Sequence, residues 1–448
     1  MTKDMTTGNP LKIIILFSIP VLFGNLFQQF YNISDTIIVG QFLGEDALAA
    51  VGSTGSIMFL VLGFAIGIAQ GFGVMISQAF GAKDISRLKH YVGTSLFLGL
   101  IVSIILTVIT VIFSKDLLMF MNTPENIIDM ADDFIKIIFL GIPCTMFYNI
   151  ASAILRGVGD SKTPLYFLIL SSVLNVLLDL FLIIVLKMGV SGAGYATITA
   201  QGVSAVLCFV YMFKKFEILQ ISKQDCRPDW GTIWQLISIG IPMALNYSLI
   251  AIGSMILQSA VNVFGSTVVA AFTAASKVEQ ISTQTLPTLG TTMATYCGQN
   301  LGAGQYKRIF KGMRLGLVIG LCSAGLASII CAGFGKQLVS IFLSNPTDKV
   351  LSYASQYLNT ISCFFIFLSF IYLYRTSLQG LGRSIMPMVS GIFEMICRIG
   401  TVILLLDPYG YWTVRLASPI AWIGAGIPLL ITYLIWRRQM SRKYLVTR

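Results

Sequence analysis

Twelve apolar runs, each roughly 20 residues or longer, follow one another along this chain, and that is the length a helix needs to cross a hydrocarbon layer. They centre on 11–38, 48–80, 91–113, 134–155, 164–186, 194–213, 233–261, 268–296, 312–334, 354–378, 387–406 and 414–436. Of the 448 residues, 56% are hydrophobic and only 11% charged, where a soluble domain carries about 25% charged residues. Most of the surface therefore meets lipid, and the expected fold is an all-α polytopic membrane protein. The polar start 1–10 and the length of the first run argue against a cleavable signal peptide.

The runs are written twice. Ser77-Gln78-Ala79-Phe80-Gly81-Ala82 returns as Gly298-Gln299-Asn300-Leu301-Gly302-Ala303. Ser18-Ile19-Pro20 returns as Gly240-Ile241-Pro242, and Leu155-Arg156-Gly157-Val158-Gly159 with Pro164 as Leu378-Gln379-Gly380-Leu381-Gly382 with Pro387. The offset stays between 221 and 223 residues. Such duplication in an apolar chain is the mark of a transporter, with a substrate site near the repeats. It predicts two pseudo-symmetric six-helix lobes around a central cavity: 1–213, a polar linker 214–231, a second lobe 232–436, and a basic tail 437–448.

The positive charges orient the lobes. Alternate loops and termini carry twenty lysines and arginines on one side and only Lys115, Lys187, Lys336 and Lys349 on the other. By the positive-inside rule both termini face the cytoplasm. Six spans per lobe is an even number, so both lobes share one orientation. The net charge of +11 is then a topology signal. A nucleic-acid partner is not expected, because no basic soluble domain is present. The eight cysteines lie scattered, as at Cys208, Cys322 and Cys363, without metal-ligand spacing. The single histidine, His90, falls in a polar loop. A zinc site is not expected on these counts, nor is a cofactor.

Polar residues inside the runs need a reason, since an ionisable group there costs about 2.5–3.5 kcal/mol or more. In the first run Asn25, Gln28, Tyr31, Asn32 and Asp35 share one helical face. In the fifth, Ser172, Asn175 and Asp179 do the same; in the fourth, Thr145, Asn149 and Ser152. Three stripes that cannot all face lipid are expected to line one wet cavity holding Asp35 and Asp179. Neither acid has a cationic partner on its own stripe, so the pair suits a proton or Na⁺. In the second half Glu394 and Arg398 are spaced i, i+4 and can pair. Arg375 and Glu279 add to a polar network that is either structural or in contact with substrate. Pro20 and Pro242 invite kinks in the first and seventh runs. The hydroxyl-rich eighth run, with Thr283, Gln284, Thr288, Thr291, Thr292 and Thr295, either lines a cavity or bonds its own backbone.

These residues together resemble the multidrug and toxic compound extrusion (MATE) family. The likeness spans nearly the whole chain. It rests on Gln78…Gly81-Ala82, on Gln299-Asn300-Leu301-Gly302-Ala303-Gly304, on the two Leu155 and Leu378 turn motifs with their prolines, and on Asn175…Asp179. Any one of these is weak; their order and duplication are not. The resemblance implies two six-helix lobes and export of drugs or toxins driven by H⁺ or Na⁺. It assigns ion coupling to Asp35, Asn175, Asp179 and Thr197, with Na⁺ admissible at the first three, and substrate contact to Gln28 and Tyr31, beside Asn32, Asn149 and Ser152. An acid that another branch carries in the seventh span is missing from 246–258, which favours the first lobe as the ion site.

The expected function is an alternating-access antiporter in a bacterial inner membrane. It would act as a monomer and export amphipathic, mainly cationic organic compounds. A lipid-linked oligosaccharide flippase of related architecture stays open, because Arg375 and Arg398 could hold a pyrophosphate. An intramembrane enzyme would need a nucleophile with its base or a metal cluster, and neither is found. The choice between H⁺ and Na⁺ is not made by these residue types, since Asp, Asn and Thr oxygens suit both.

Overall fold

A computed structural model of the chain describes residues 4–121, 123–222, 224–343 and 347–446. Lys3, Lys223 and Arg448, three of the charges used for orientation, lie outside them. Regular structure among the described residues is entirely helical. In chain order the helices are α1 Pro10–Leu43, α2 Glu45–Gly81, α3 Ile85–Ile112, α4 Ser114–Phe120, α5 Glu125–Leu140, α6 Ile142–Gly157, α7 Lys162–Asp179, α8 Val190–Lys215, α9 Trp230–Asn262, α10 Ser266–Ser282, α11 Thr285–Gly302, α12 Tyr306–Ile341, α13 Asp348–Ser362, α14 Phe365–Gly380, α15 Ile385–Tyr409 and α16 Tyr411–Val446. Their outer faces are apolar. On α3, Ile104, Ile105, Val108 and Ile112 are all at least half exposed, which only lipid tolerates.

Among the described residues nine helices are long and apolar enough to cross a membrane singly. Two more crossings are bent pairs: α5 with α6, at 44°, and α13 with α14, at 54°. The expected run 268–296 is likewise two helices, α10 and α11, parted at Thr283 and Gln284. These breaks have local causes. Gly141 precedes Pro143 at the start of α6, where proline has no N–H to continue the ladder. Carbonyls near both bends find partners on neighbouring helices. Thr107 Oγ1 donates to the Phe139 carbonyl at 3.2 Å, and Ser328 Oγ to the Ser362 carbonyl at 2.6 Å, which satisfies two of the acceptors that the bends would otherwise leave free. Pro20 and Pro242, the expected kinks, lie inside α1 and α9, and both helices run on through them.

The duplicated turns are one device used four times. After α2, α6, α11 and α14 a residue with positive φ (Lys83, Gly159, Gly304 and Gly382) is followed by an amide bonded five residues back: Asp84 to Ala79, Asp160 to Leu155, Gln305 to Asn300 and Arg383 to Leu378. That is a Schellman stop. Asp84 then caps α3 by accepting from the Arg87 amide at 3.0 Å, and Asp160 caps α7 through the Thr163 amide and hydroxyl at 3.1 and 2.6 Å.

The chain forms two compact units. One comprises Leu16–Ser248 with Leu301–Gly304 and the N-terminal residues up to Thr6; the other comprises Thr7–Ile15, Leu249–Asn300 and Gln305–Arg448. The division falls inside α9, and the whole of 214–231 belongs to the first unit. Small residues account for this. A Cβ on Gly67 would lie 2.5 Å from the Ala244 backbone, and one on Gly71 2.5 Å from that of Gly240, so the first half of α9 rests directly on α2. The connecting segment is also pinned. Leu219 is buried, the Asp225 carbonyl sits where a Gly93 Cβ would be, and Asp229 Oδ2 bonds His90 at 2.6 Å. His90 is therefore part of α3, with a partner, and not in a loop.

Candidate functional site

The three polar stripes of the first unit meet around one cavity of about 350 Å³. Gln28, Tyr31, Asn32 and Asp35 come from α1, and Asn149 and Ser152 from α6; α2, α5, α7 and α8 supply the rest of the wall. The substrate-contact residues named from sequence thus stand together. Asn175 and Asp179 do not form part of the wall: both are wholly buried. Thr197 on α8 joins the two groups. Its Oγ1 accepts from Tyr31 Oη at 3.2 Å and from Asn175 Nδ2 at 3.3 Å.

The Asp35 and Asp179 carboxyls lie close enough to interact with one another, and Tyr31 lies within reach of both. Asp35 Oδ1, Asn175 Oδ1 and both Asp179 oxygens are buried and receive no hydrogen bond. The site therefore gathers four acceptor oxygens with no donor aimed at them. No described lysine or arginine bridges the two acids. Two such carboxyls in a dry setting call for a positive charge between them, and a proton or a hard cation with oxygen ligands fits the donor set. Directly after Asp179, residues Leu180–Val185 form a π-helical turn. Insertions of this kind recur at functional sites, and nothing in the apolar letters of that stretch announces it.

Two further wall residues were missed from sequence. Gln201 bonds the Thr145 hydroxyl across the cavity; its position one turn after Thr197, inside an apolar run, was the available signal. Arg156 also lines the cavity, from the last turn of α6. Its charge had been counted with the loops, because the glycines that follow it read as a turn.

The second unit holds a different arrangement. Glu394 on α15 accepts from Arg375 Nη2 at 2.7 Å and from Arg398 Nη2 at 3.3 Å, and all three are buried. Arg398 occupies the notch left by Gly253, where a Cβ would lie 2.7 Å from Nη1. Glu279 accepts from Tyr357 Oη at 3.0 Å and is within electrostatic reach of Arg398. The four network residues are brought together as mutually engaged charges, and the two arginines are tied to Glu394. Five threonines in and between α10 and α11 bond their own backbone: Thr283, Thr288, Thr291, Thr292 and Thr295 each donate to the carbonyl four residues earlier.

Comparison with known proteins agrees with this architecture. The MatE family model matches twice, at residues 20–181 and 242–404, one match per repeat. The chain is 32% identical to the probable multidrug resistance protein YpnP of Bacillus subtilis, over 94% of this chain and 91% of that one. It is 31% identical to the probable multidrug resistance protein YoeA of the same organism, over 79% and 78%. Among solved structures, an outward-facing multidrug resistance MATE family transporter superposes with a TM-score of 0.89 at 23% identity, covering 98% of each chain. Doubled helical lobes, membrane-length helices and a family model that matches both halves lead to one conclusion: the chain belongs to the MatE family and is a multi-pass membrane transporter, not an enzyme.

Proposed function

We propose that this transporter is a cation-coupled antiporter that exports amphipathic organic compounds, with Asp35 and Asp179 as the coupling pair. The observation that carries the reading is the pair itself: two adjoining carboxyls beside a cavity, with four unbonded acceptor oxygens around them. While the pair is empty of cations, its charge draws a cationic compound into the cavity. A proton or Na⁺ held by Asp35, Asn175 and Asp179 cancels that charge, and the compound leaves. Competition of two positive charges for one pair is exchange, with no further chemistry required. Thr197 ties Tyr31 to Asn175 beside the two acids, and Gln28, Tyr31, Asn32, Asn149 and Ser152 face the cargo.

The names of the relatives YpnP and YoeA support multidrug resistance as the biological setting. The charge distribution supports a bacterial inner membrane with both termini cytoplasmic. Arg375 and Arg398, the basis of the pyrophosphate-binding flippase alternative, both donate to Glu394, which favours the antiporter reading.

The test is transport by proteoliposomes loaded with an organic cation dye. Asp179→Asn and Asp35→Asn are each expected to insert normally and to lose at least ten-fold in gradient-driven efflux. Normal transport by both variants overturns the coupling role. Running the wild type under an imposed pH gradient without Na⁺, and then with a Na⁺ gradient alone, identifies the ion.

A further inference from the structure

Arg156 stands alone in this cavity. Its guanidinium makes no hydrogen bond or ion pair with any described residue, and the groups within electrostatic reach of it, Tyr148, Tyr247 and Cys208, carry no negative charge in their ordinary forms. The nearest acid in sequence, Asp160, is spent on the cap of α7, where it accepts from the Lys162 and Thr163 amides and the Thr163 hydroxyl. Tyr247 is itself paired with Gln70, at 2.9 Å. A guanidinium that lines a cavity from a helix end without a counter-charge is poised to accept one from a bound compound.

Its place in the cavity is also set. Tyr148, two turns before Arg156 on α6, bonds the Pro164 carbonyl at the start of α7, whereas Asn175, further along α7, meets Thr197. From Pro164 to Asp179 is on the order of 20 Å along the helix. The cavity thus has an acidic end at Asp35 and a basic end at Arg156, well apart.

We infer that Arg156 is a binding site for a carboxylate of the transported compound, so that this cavity selects amphipathic zwitterions over simple cations. The planar guanidinium grips a carboxylate through two parallel N–H donors, while the cationic portion of the same compound faces the acids. This rests on the cavity being the transport site proposed above, and it narrows the cargo from cations in general to those that also carry an acid.

Rhodamine 110 and rhodamine 123 test it, because they share one cationic ring system and differ in a free carboxylate against its methyl ester. Equilibrium binding is measured by fluorescence polarisation on the purified full-length protein, and efflux in proteoliposomes. Arg156→Gln is expected to weaken rhodamine 110 roughly tenfold or more and to tighten rhodamine 123, since a repelling charge has gone. Arg156→Lys should recover part of the loss as a point charge without the fork. A variant that weakens both dyes alike reports a structural defect, and one that changes neither shows that the carboxylate binds elsewhere; each overturns the inference. Binding of both dyes with the predicted Arg156 dependence but without efflux leaves the carboxylate site standing and removes the export reading. Efflux of both without Arg156 dependence does the reverse. A wild type that binds neither dye overturns both.

Discussion

Glu394 accepts from two buried guanidiniums at once, so one side chain is the shared partner of both. Removing it strands Arg375 and Arg398, and a broken buried pair costs about 3–5 kcal/mol. Glu394→Ala should therefore lower the thermal midpoint in detergent by far more than Arg398→Met, which removes one charge and leaves Glu394 its other partner. Equal shifts would show that the network is not organised around the carboxylate. The contrast with Asp35 and Asp179 explains their proposed division of labour. The acids of the first unit have no lysine or arginine partner among the described residues, as the proposed coupling role requires, while Glu394 has its partners already. Much of this was legible at the level of single letters. Asp35, Asn175 and Asp179 stood out because charged and amide groups are costly in an apolar run. Arg156 did not, because a positive charge beside Gly157 and Gly159 reads as a loop charge. Its helical backbone and its lack of a partner are properties of folded neighbours.

At the scale of elements, the segment between α8 and α9 was expected to be a linker and is instead a clamp on α3. Asp229 accepts from the Thr232 amide and hydroxyl at 3.0 and 2.6 Å and from His90. The Thr232 hydroxyl and His90 hold its carboxyl well below the usual carboxylate range. A depressed folded value means that the stabilisation is complete above the ordinary value of about 3.9. It is lost as pH falls from there through the lower folded value. Hydrogen-exchange protection of the first turn of α9, corrected for intrinsic rate, should accordingly stay level from pH 7 to pH 5. Asp229→Ala should reduce it several-fold, through loss of the cap on the Thr232 amide. A pH-dependent loss in that interval would mean that the clamp depends on another group. The helix breaks tell a related story. Gly141 with Pro143 could be suspected from sequence, and so could the gap at Thr283–Gln284, because Pro287 has no N–H for the Thr283 carbonyl; the π-turn after Asp179 lies in letters that suit a continuous helix. They exist because neighbouring hydroxyls and packed backbones make irregular geometry affordable there.

Across the whole molecule the repeat is a repeat of scaffold. The Schellman stops recur in both halves, with Lys83 and Gly304 taking the same positive-φ position. The chemistry does not recur: at offsets of 222 and 223 residues the counterparts of Asp35 and Asp179 are Leu257 and Val402. Orientation can be read with a native probe. Cys226 is exposed in the connecting segment, so a membrane-impermeant maleimide should label it in inside-out vesicles and not in intact cells, with Cys226→Ser as the blank. Labelling from outside would reverse the assigned topology. The sequence by itself determined the membrane, the helices, the even duplication and the two lone acids, because each is a matter of composition and spacing that any solvent-exposed or lipid-exposed chain must obey. Tertiary structure alone decided that Asp35 and Asp179 adjoin, that Thr197 ties Tyr31 to Asn175, that the division of units falls inside α9, and that Arg156 faces the cavity unpaired. Those facts depend on which helix faces touch. Contact between faces far apart in sequence is set by the close fit of residues such as Gly67 and Gly71 against α9, a property of packed pairs that no single stretch of the chain contains.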